Sequence, residues 1–383
     1  MFVYPTSVDK HIVINMRILF ALPGFHRYNR GAEIALMSVA EEIVKLGDAV
    51  TLIGSGISEN STDYRFLHAG SVRREHFEKF PSVPVLRNEF CYEELTFSPA
   101  LLFKYKPKHY DITVTCSYPF TNWILRRPVL RGAGPRHIFV TQNGDWPAFA
   151  SASGGSRSED RFFGCDGLVC INPDFFERNK AFWNCRLIPN GVDCDRFQPG
   201  PARRKDLGIP EDRFVVLMVS ALVPSKRVEM GIEAVSRIPD AHLVVAGDGP
   251  LRNKIASAAA ELLPGRFTRL SIPSEKMPAL YHSSDVLLHC SKDEPFGIVF
   301  TEAMACGLPI VGHDMLRVRW IVGDDEFLVD TNDAVAVAKA IQRARRSGTD
   351  GRQRRVNRAK NFSWKKIAEE YKHFFIETIA GAK

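Results

Sequence analysis

Met16-Arg-Ile-Leu-Phe-Ala-Leu22, closed by Pro23-Gly24, reads as a buried first strand ended by a turn. Downstream of it, residues 31–46 carry apolar side chains at helical spacing until Gly47 stops them, and residues 49–53 form a second strand. A strand, a turn and a helix feeding another strand make one βαβ unit, whose sheet is expected to be parallel. Strand-length apolar runs recur at 111–116, 137–141, 167–171 and 186–188, with a helical stretch at 173–183. A polar stretch containing Pro199-Gly200-Pro201 and Arg203-Arg204-Lys205 then reads as a linker. The pattern restarts with a strand at 214–219, a helix at 228–238 and strands at 242–246 and 285–289. The expectation is therefore α/β: two Rossmann-like doubly wound parallel-sheet domains facing across a cleft, where open α/β sheets bind ligands at their carboxyl ends. Residues 1–15 lack the pattern and are expected to be a disordered extension or a misassigned start.

A chain of 383 residues suits two domains, and 45% apolar with 25% charged residues is a globular composition. No apolar run reaches the roughly 18–20 residues of a membrane span, and His11 to Asn15 is too short for a signal-peptide core. A cytoplasmic protein is expected. The eight cysteines form no CxxC pair, and Cys116, Cys170 and Cys290 sit in apolar strand-like runs, which fits buried thiols better than disulfides or zinc. The net charge of +7 gathers at Lys104, Lys106, Lys108, Arg126, Arg127, Arg131 and Arg136, and again at Arg343, Arg345, Arg346, Arg352, Arg354 and Arg355. The first group suits peripheral contact with an anionic membrane at its inner face; the second reads equally as a solvated helix face. No nucleic-acid partner is expected.

The segment Ser291-Lys-Asp-Glu294-Pro295-Phe-Gly297-Ile-Val-Phe-Thr-Glu302-Ala-Met-Ala-Cys-Gly307-Leu-Pro309 follows a strand and opens a helix. Pro295 suits a first helical turn, where its missing N–H is not needed, and Gly297 lets backbone approach a ligand closely. Free N–H groups at such a helix start attract phosphate. Along a helix the eight residues from Glu294 to Glu302 rise about 12 Å, more than the about 5–9.5 Å between the carboxylates of a hydrolytic pair. Two parts of one long ligand, such as a nucleotide sugar, fit this spacing better than glycoside hydrolysis. One carboxylate would accept from a ribose diol and the other from sugar hydroxyls, with the diphosphate between them. An ordinary capped helix with a surface glutamate is the bland alternative.

This segment resembles the EPFG…E signature, two glutamates with seven residues between, of retaining GT-B glycosyltransferases of family four. Pro189-Asn-Gly-Val-Asp193 resembles that family's PNGVD interdomain turn, Val223-Pro-Ser-Lys226 its phosphate lysine, Gly247-Asp-Gly249-Pro250 its GDGP loop, and Phe362-Ser-Trp364 the start of its last helix. The resemblance implies an acceptor domain over 16–193, a donor domain over 194–362 and a final helix over 363–383 that crosses back to the first domain. It further implies that Glu302 binds the donor ribose and that Glu294, with the backbone of Phe296 and Gly297, binds the transferred sugar, with Ile298 in the donor set. Lys226 would neutralise the diphosphate leaving group, so no metal or other cofactor is needed beyond the nucleotide-diphosphate sugar itself. Gly31, Gly247 and Gly249 join the donor set. The acceptor would be a glycan or lipid-linked glycan in surface polysaccharide synthesis.

The sequence also departs from the pattern. Ala221 stands where the family usually has a second phosphate-binding arginine, and Arg227 is the candidate to compensate. Of the glycine pair opening the first helix only Gly31 is present, which leaves Arg30 free to meet an acceptor. The family's acceptor-side histidine is absent; Asn143 and Asp145 in Gln142-Asn-Gly-Asp-Trp146, and His26 in the first strand-to-helix loop, are the candidates in its place. Asp193-Cys-Asp195 has a DxD form, but a backbone role in the turn explains Asp193 better than a metal does. Competing readings are a nucleotide-sugar epimerase, a sugar-binding module without turnover, and a dinucleotide oxidoreductase, against which the missing GxGxxG counts.

Overall fold

The computed structural model describes residues 15–28, 30–58, 62–83, 86, 88–116, 119–127, 134–142 and 164–381. Strands β1 (Arg17–Ala21), β2 (Ala49–Gly54), β3 (Arg65–His68), β4 (Ile112–Cys116), β5 (Arg136–Val140), β6 (Gly167–Cys170) and β7 (Cys185–Leu187) form one sheet in the order β3-β2-β1-β4-β5-β6-β7. Strands β8 (Phe214–Val219), β9 (Ala241–Ala246), β10 (Phe267–Leu270), β11 (Val286–His289), β12 (Ile310–His313) and β13 (Phe327–Val329) form a second, in the order β10-β9-β8-β11-β12-β13. The pairings of defined register are parallel in both sheets. A parallel sheet is covered on both faces, so its strands read as continuous apolar runs, and Ile18 to Ala21 and Leu243 to Val245 are fully buried.

Helices α1 (Gly31–Lys45), α2 (Glu89–Lys104), α3 (Pro119–Arg126) and α4 (Pro173–Asn179) accompany the first sheet. Helices α5 (Val228–Ser236), α6 (Arg252–Leu262), α7 (Met277–His282), α8 (Ile298–Ala305), α9 (Leu316–Val322), α10 (Ala334–Ser347) and α11 (Arg352–Ala359) accompany the second, and α12 (Trp364–Ala380) ends the chain. The helix expected over 173–183 is shorter because Asn179 turns the chain: its carbonyl accepts from the backbone N–H of both Phe182 and Trp183.

By its contacts the chain forms two compact units. Within the described residues one comprises 15–140, 164–168 and the chain from Tyr371, and the other comprises Thr141, Gln142 and Val169–Glu370. In the first, Lys372 of α12 donates to the Leu46 carbonyl at 3.0 Å and pairs at 2.8 Å with the buried Asp48 carboxylate. In the second, two sequence motifs meet: Val192 donates to the Phe362 carbonyl at 2.7 Å, and a side chain at Gly191 would overlap the Trp364 ring. Asp193 takes the backbone role, its Oδ1 accepting from the N–H of Asp195 and Arg196.

The two basic groups differ. Lys104, Lys106 and Lys108 are exposed around Phe103, itself 76% exposed, whereas Arg136 pairs with Asp166 and Arg131 lies outside the described residues. In the second group Arg345 pairs with Asp240, Arg354 with Asp325 and the buried Arg355 with Glu326, so those charges serve the fold. Among the described residues no helix is long and apolar enough to cross a membrane.

Candidate functional site

In each sheet the strand order reverses beside one strand. β1 lies between β2 and β4, and β8 lies between β9 and β11. Loops leaving the carboxyl ends of strands at such a switch point are where doubly wound sheets hold ligands. Lys226 ends the one-turn helix Pro224–Lys226 after β8, and Glu294 follows β11. The second sheet thus brings together two of the residues singled out in the sequence.

Glu294 Oε2 accepts from Lys226 Nζ at 2.5 Å and from His289 Nε2 at 3.0 Å. His289 is the last residue of β11, buried, with its ring edge-on to Phe300 at 5.0 Å. Burial alone would raise the Glu294 carboxyl, but the hydrogen bond and charge of His289, with those of Lys226, bring it down to about 2. It is therefore ionised throughout the physiological range. Nothing in the motif reading singled out His289; the available signal was a polar residue ending an apolar strand five positions before the glutamate.

The backbone after Glu294 is set by Gly297, whose φ of 77° is left-handed and whose Cβ, were there one, would press on Phe300 and on Glu294 Cγ. Helix α8 begins only after it. Pro295 consequently lies ahead of the helix, not in its first turn as expected, and its carbonyl accepts from Asn172 Nδ2 at 2.7 Å. The expected 12 Å helical rise between the glutamates does not apply either, since residues 294–297 are not helical. What separates the two carboxylates is their partners. Glu302, in the second turn of α8, accepts from the buried Tyr281 hydroxyl at 2.6 Å. Burial raises its carboxyl to about 7, against the Tyr281 hydrogen bond and the Arg196 charge.

Phe296 is buried with its ring against Phe362 at 6.0 Å, so only its backbone is available to a ligand. Gly297 caps α8 without a side-chain hydrogen bond, and Ile298 is the first helical residue. Gly247 and Gly249 have a different reason to be glycine: a Cβ at the first would lie 1.9 Å from the Ser220 carbonyl oxygen and at the second 2.7 Å from that of Leu222. They let the 247–249 loop pack onto the turn after β8. Arg227 adopts a left-handed φ of 54°, which costs a non-glycine residue roughly 1–2 kcal/mol. Its guanidinium donates to Cys290, Thr331 and Asn332.

The remaining candidates belong to the first unit or lie beyond description. Gly31 opens α1 with nothing within 4 Å of where a Cβ would stand. Arg30 is exposed, its guanidinium 4.8 Å from the Tyr28 ring centroid. His26, at φ 57°, shares a hydrogen bond of 3.0 Å between Nε2 and the Tyr64 hydroxyl, and burial lowers its pKa. Asn143 and Asp145 lie outside the described residues.

Two doubly wound parallel sheets, with a lysine and a glutamate meeting at the switch point of the second, define a GT-B fold. Residues 201–362 match glycosyl transferases group 1, and residues 29–196 match glycosyltransferase family 4. The chain is 31% identical over 273 residues to the GDP-mannose-dependent alpha-(1-6)-phosphatidylinositol monomannoside mannosyltransferase of Mycolicibacterium smegmatis, covering 62% of this chain and 69% of that protein. It is 30% identical over 209 residues to the lipopolysaccharide core biosynthesis glycosyltransferase LpsE of Rhizobium meliloti, covering 53% of this chain and 58% of that one. Sucrose-phosphate synthase of Thermosynechococcus elongatus has the same fold, with a TM-score of 0.77 at 21% identity over 96% of this chain and 100% of that one. The chain belongs to the group 1, family-four glycosyltransferases, enzymes that transfer a sugar.

Proposed function

We propose that the chain moves a sugar from a nucleoside-diphosphate sugar to a hydroxyl of a glycan or lipid-linked glycan, with retention of anomeric configuration. The observation that carries the reading is the Lys226–Glu294 pair at 2.5 Å, at the switch point of the second sheet. Lys226 has three N–H donors, so one can stay on Glu294 while the others meet the departing diphosphate. Both protein donors reach Oε2 of Glu294, which leaves Oε1 for hydroxyls of the transferred sugar. The uncapped start of α8 suits the diphosphate. In the reaction the bond from the anomeric carbon to phosphate oxygen breaks, the acceptor oxygen bonds to that carbon on the same face, and the departing phosphate takes the hydroxyl proton. The GDP-mannose dependence of the mycobacterial relative and the lipopolysaccharide role of LpsE support this donor class and a surface-glycan acceptor.

A panel of nucleotide sugars offered with glycan and lipid-linked acceptors tests the reading. Nucleoside diphosphate release that depends on acceptor, with a product whose anomeric proton coupling matches the donor's, is the expected result. Conversion of the donor without acceptor would favour an epimerase, and an inverted product would refute retention.

Peripheral contact with an anionic membrane belongs to the same proposal. Leu102, Phe103 and Lys104 at the end of α2 and Lys106 just after it form an exposed apolar and basic patch, the Lys106 ammonium 5.7 Å from the Phe103 ring centroid. Co-sedimentation with anionic but not neutral vesicles is expected, and substitution of Phe103 and Lys106 by Ser should abolish it; equal binding by that variant would remove this surface from the proposal.

A further inference from the structure

Arg227 follows the proposed phosphate lysine directly, yet its side chain is committed elsewhere. We infer that Arg227 is a positioning residue, a clamp that sets where Lys226 stands and does not itself bind phosphate. The inference rests on the donor reading of Lys226. One guanidinium nitrogen donates to the Cys290 carbonyl at 3.3 Å and to Thr331 Oγ1 at 3.0 Å, the other to the Thr331 carbonyl at 3.2 Å and to Asn332 Oδ1 at 3.0 Å. Thr331 is itself fixed, its hydroxyl donating to the Cys290 carbonyl at 3.0 Å and its N–H to His313 Nδ1 at 3.1 Å. The clamp therefore joins the turn after β8 to the residues following β11 and β13.

Its placement explains how two side chains reach one oxygen. Lys226 is the residue before Arg227, and His289 is the residue before Cys290. The bond from the Arg227 guanidinium to the Cys290 carbonyl ties the residue after Lys226 to the residue after His289, and the side chains of Lys226 and His289 converge on Glu294 Oε2. Four acceptors in a fork suit the planar guanidinium and not an ammonium. The left-handed backbone at 227 would be relaxed with glycine, so the arginine is held there by its side-chain bonds.

The test is a double-mutant cycle with Lys226→Ala and Arg227→Gly, because glycine accepts the left-handed backbone and keeps the fold. The readouts are turnover of the donor found in the panel and calorimetric binding of nucleoside diphosphate against monophosphate. Arg227→Gly is expected to lower kcat roughly 10–100-fold with little change in KM, and to shrink the preference for diphosphate. The double variant should fall within about twofold of Lys226→Ala alone, since a residue acting only through Lys226 has nothing left to position. Thr331→Val, which leaves the arginine in place, should lose turnover in part, and Arg227→Lys should not restore it. Losses that multiply in the double variant would make Arg227 a phosphate ligand and overturn the inference. A lower melting temperature with kcat unchanged would make it a fold-stabilising residue only and overturn it equally. If Lys226→Ala alters neither turnover nor diphosphate preference, the donor reading itself fails and the clamp with it.

Discussion

Lys226→Ala is expected to lower kcat on a nucleoside-diphosphate sugar by about 10²–10³, the loss typical when one preorganised group facing developing charge is removed. Negative charge grows on the diphosphate as its bond to the sugar breaks, and the Lys226 ammonium, 2.5 Å from Glu294, is already held in place for it. KM should move less than kcat, because the charge being stabilised is fuller in the transition state than in the bound donor. The protein should remain folded, for His289 still donates to Glu294 at 3.0 Å. With a lysine in this role, turnover should also survive chelation of divalent metal. Steady-state kinetics with and without EDTA, beside a melting curve, decide the matter. Loss of activity in EDTA, or a variant within threefold of wild type, would take the leaving-group role away from Lys226.

How legible this was in the sequence depends on the distance over which each feature is determined. The two sheets were legible because a buried parallel strand needs a continuous apolar run, as in Arg17–Ala21 and Ala241–Ala246, and each run is local. Glu294 was singled out because its segment follows a strand and opens a helix, Lys226 through the family resemblance alone, and their meeting joins loops 68 residues apart that no local pattern pairs. Tyr281 was not: it meets Glu302 from another helix, 21 residues away, and no local pattern sets that pairing. The glycines show a different limit. Gly247 and Gly249 stand in a loop motif associated with donor binding, yet their missing side chains make room for the backbone of residues 220–222. Composition tells that backbone comes close; it does not tell whose backbone. Arg227 shows the same limit: its place beside Lys226 in sequence suggested a shared ligand, and no local pattern shows that its guanidinium meets Thr331.

The second large effect is expected at Glu302, where affinity for nucleoside diphosphate should strengthen as pH rises toward 7 and level off above it. The carboxyl is raised to about 7 by burial, against the Tyr281 hydrogen bond and the Arg196 charge, so it is largely protonated at pH 6 and ionised at pH 8. If it receives a ribose diol, as the family resemblance implies, the ionised form binds better, since hydrogen bonds to a charged acceptor contribute about 1.5–3 kcal/mol against about 0.5–1.5 for neutral ones. A gain of roughly 10–100-fold between pH 5 and pH 8 follows from two such bonds. Glu302→Gln should flatten this dependence and bind at the weak limit. The sign for stability is opposite. A folded-state pKa above the unfolded value means the free protein binds its proton more tightly when folded, so this stabilisation is complete below the unfolded pKa and is lost as pH rises through about 7. At pH 8 the ligand-free Gln variant, which has no proton to lose, should therefore be more stable than wild type by about 3 kcal/mol, and near it at pH 5. Calorimetry across pH with melting curves on both proteins tests the pair together. A pH-independent wild-type affinity would remove Glu302 from the ribose, whereas a Gln variant no more stable than wild type at pH 8 would show that the carboxyl is already ionised at neutral pH in the free protein.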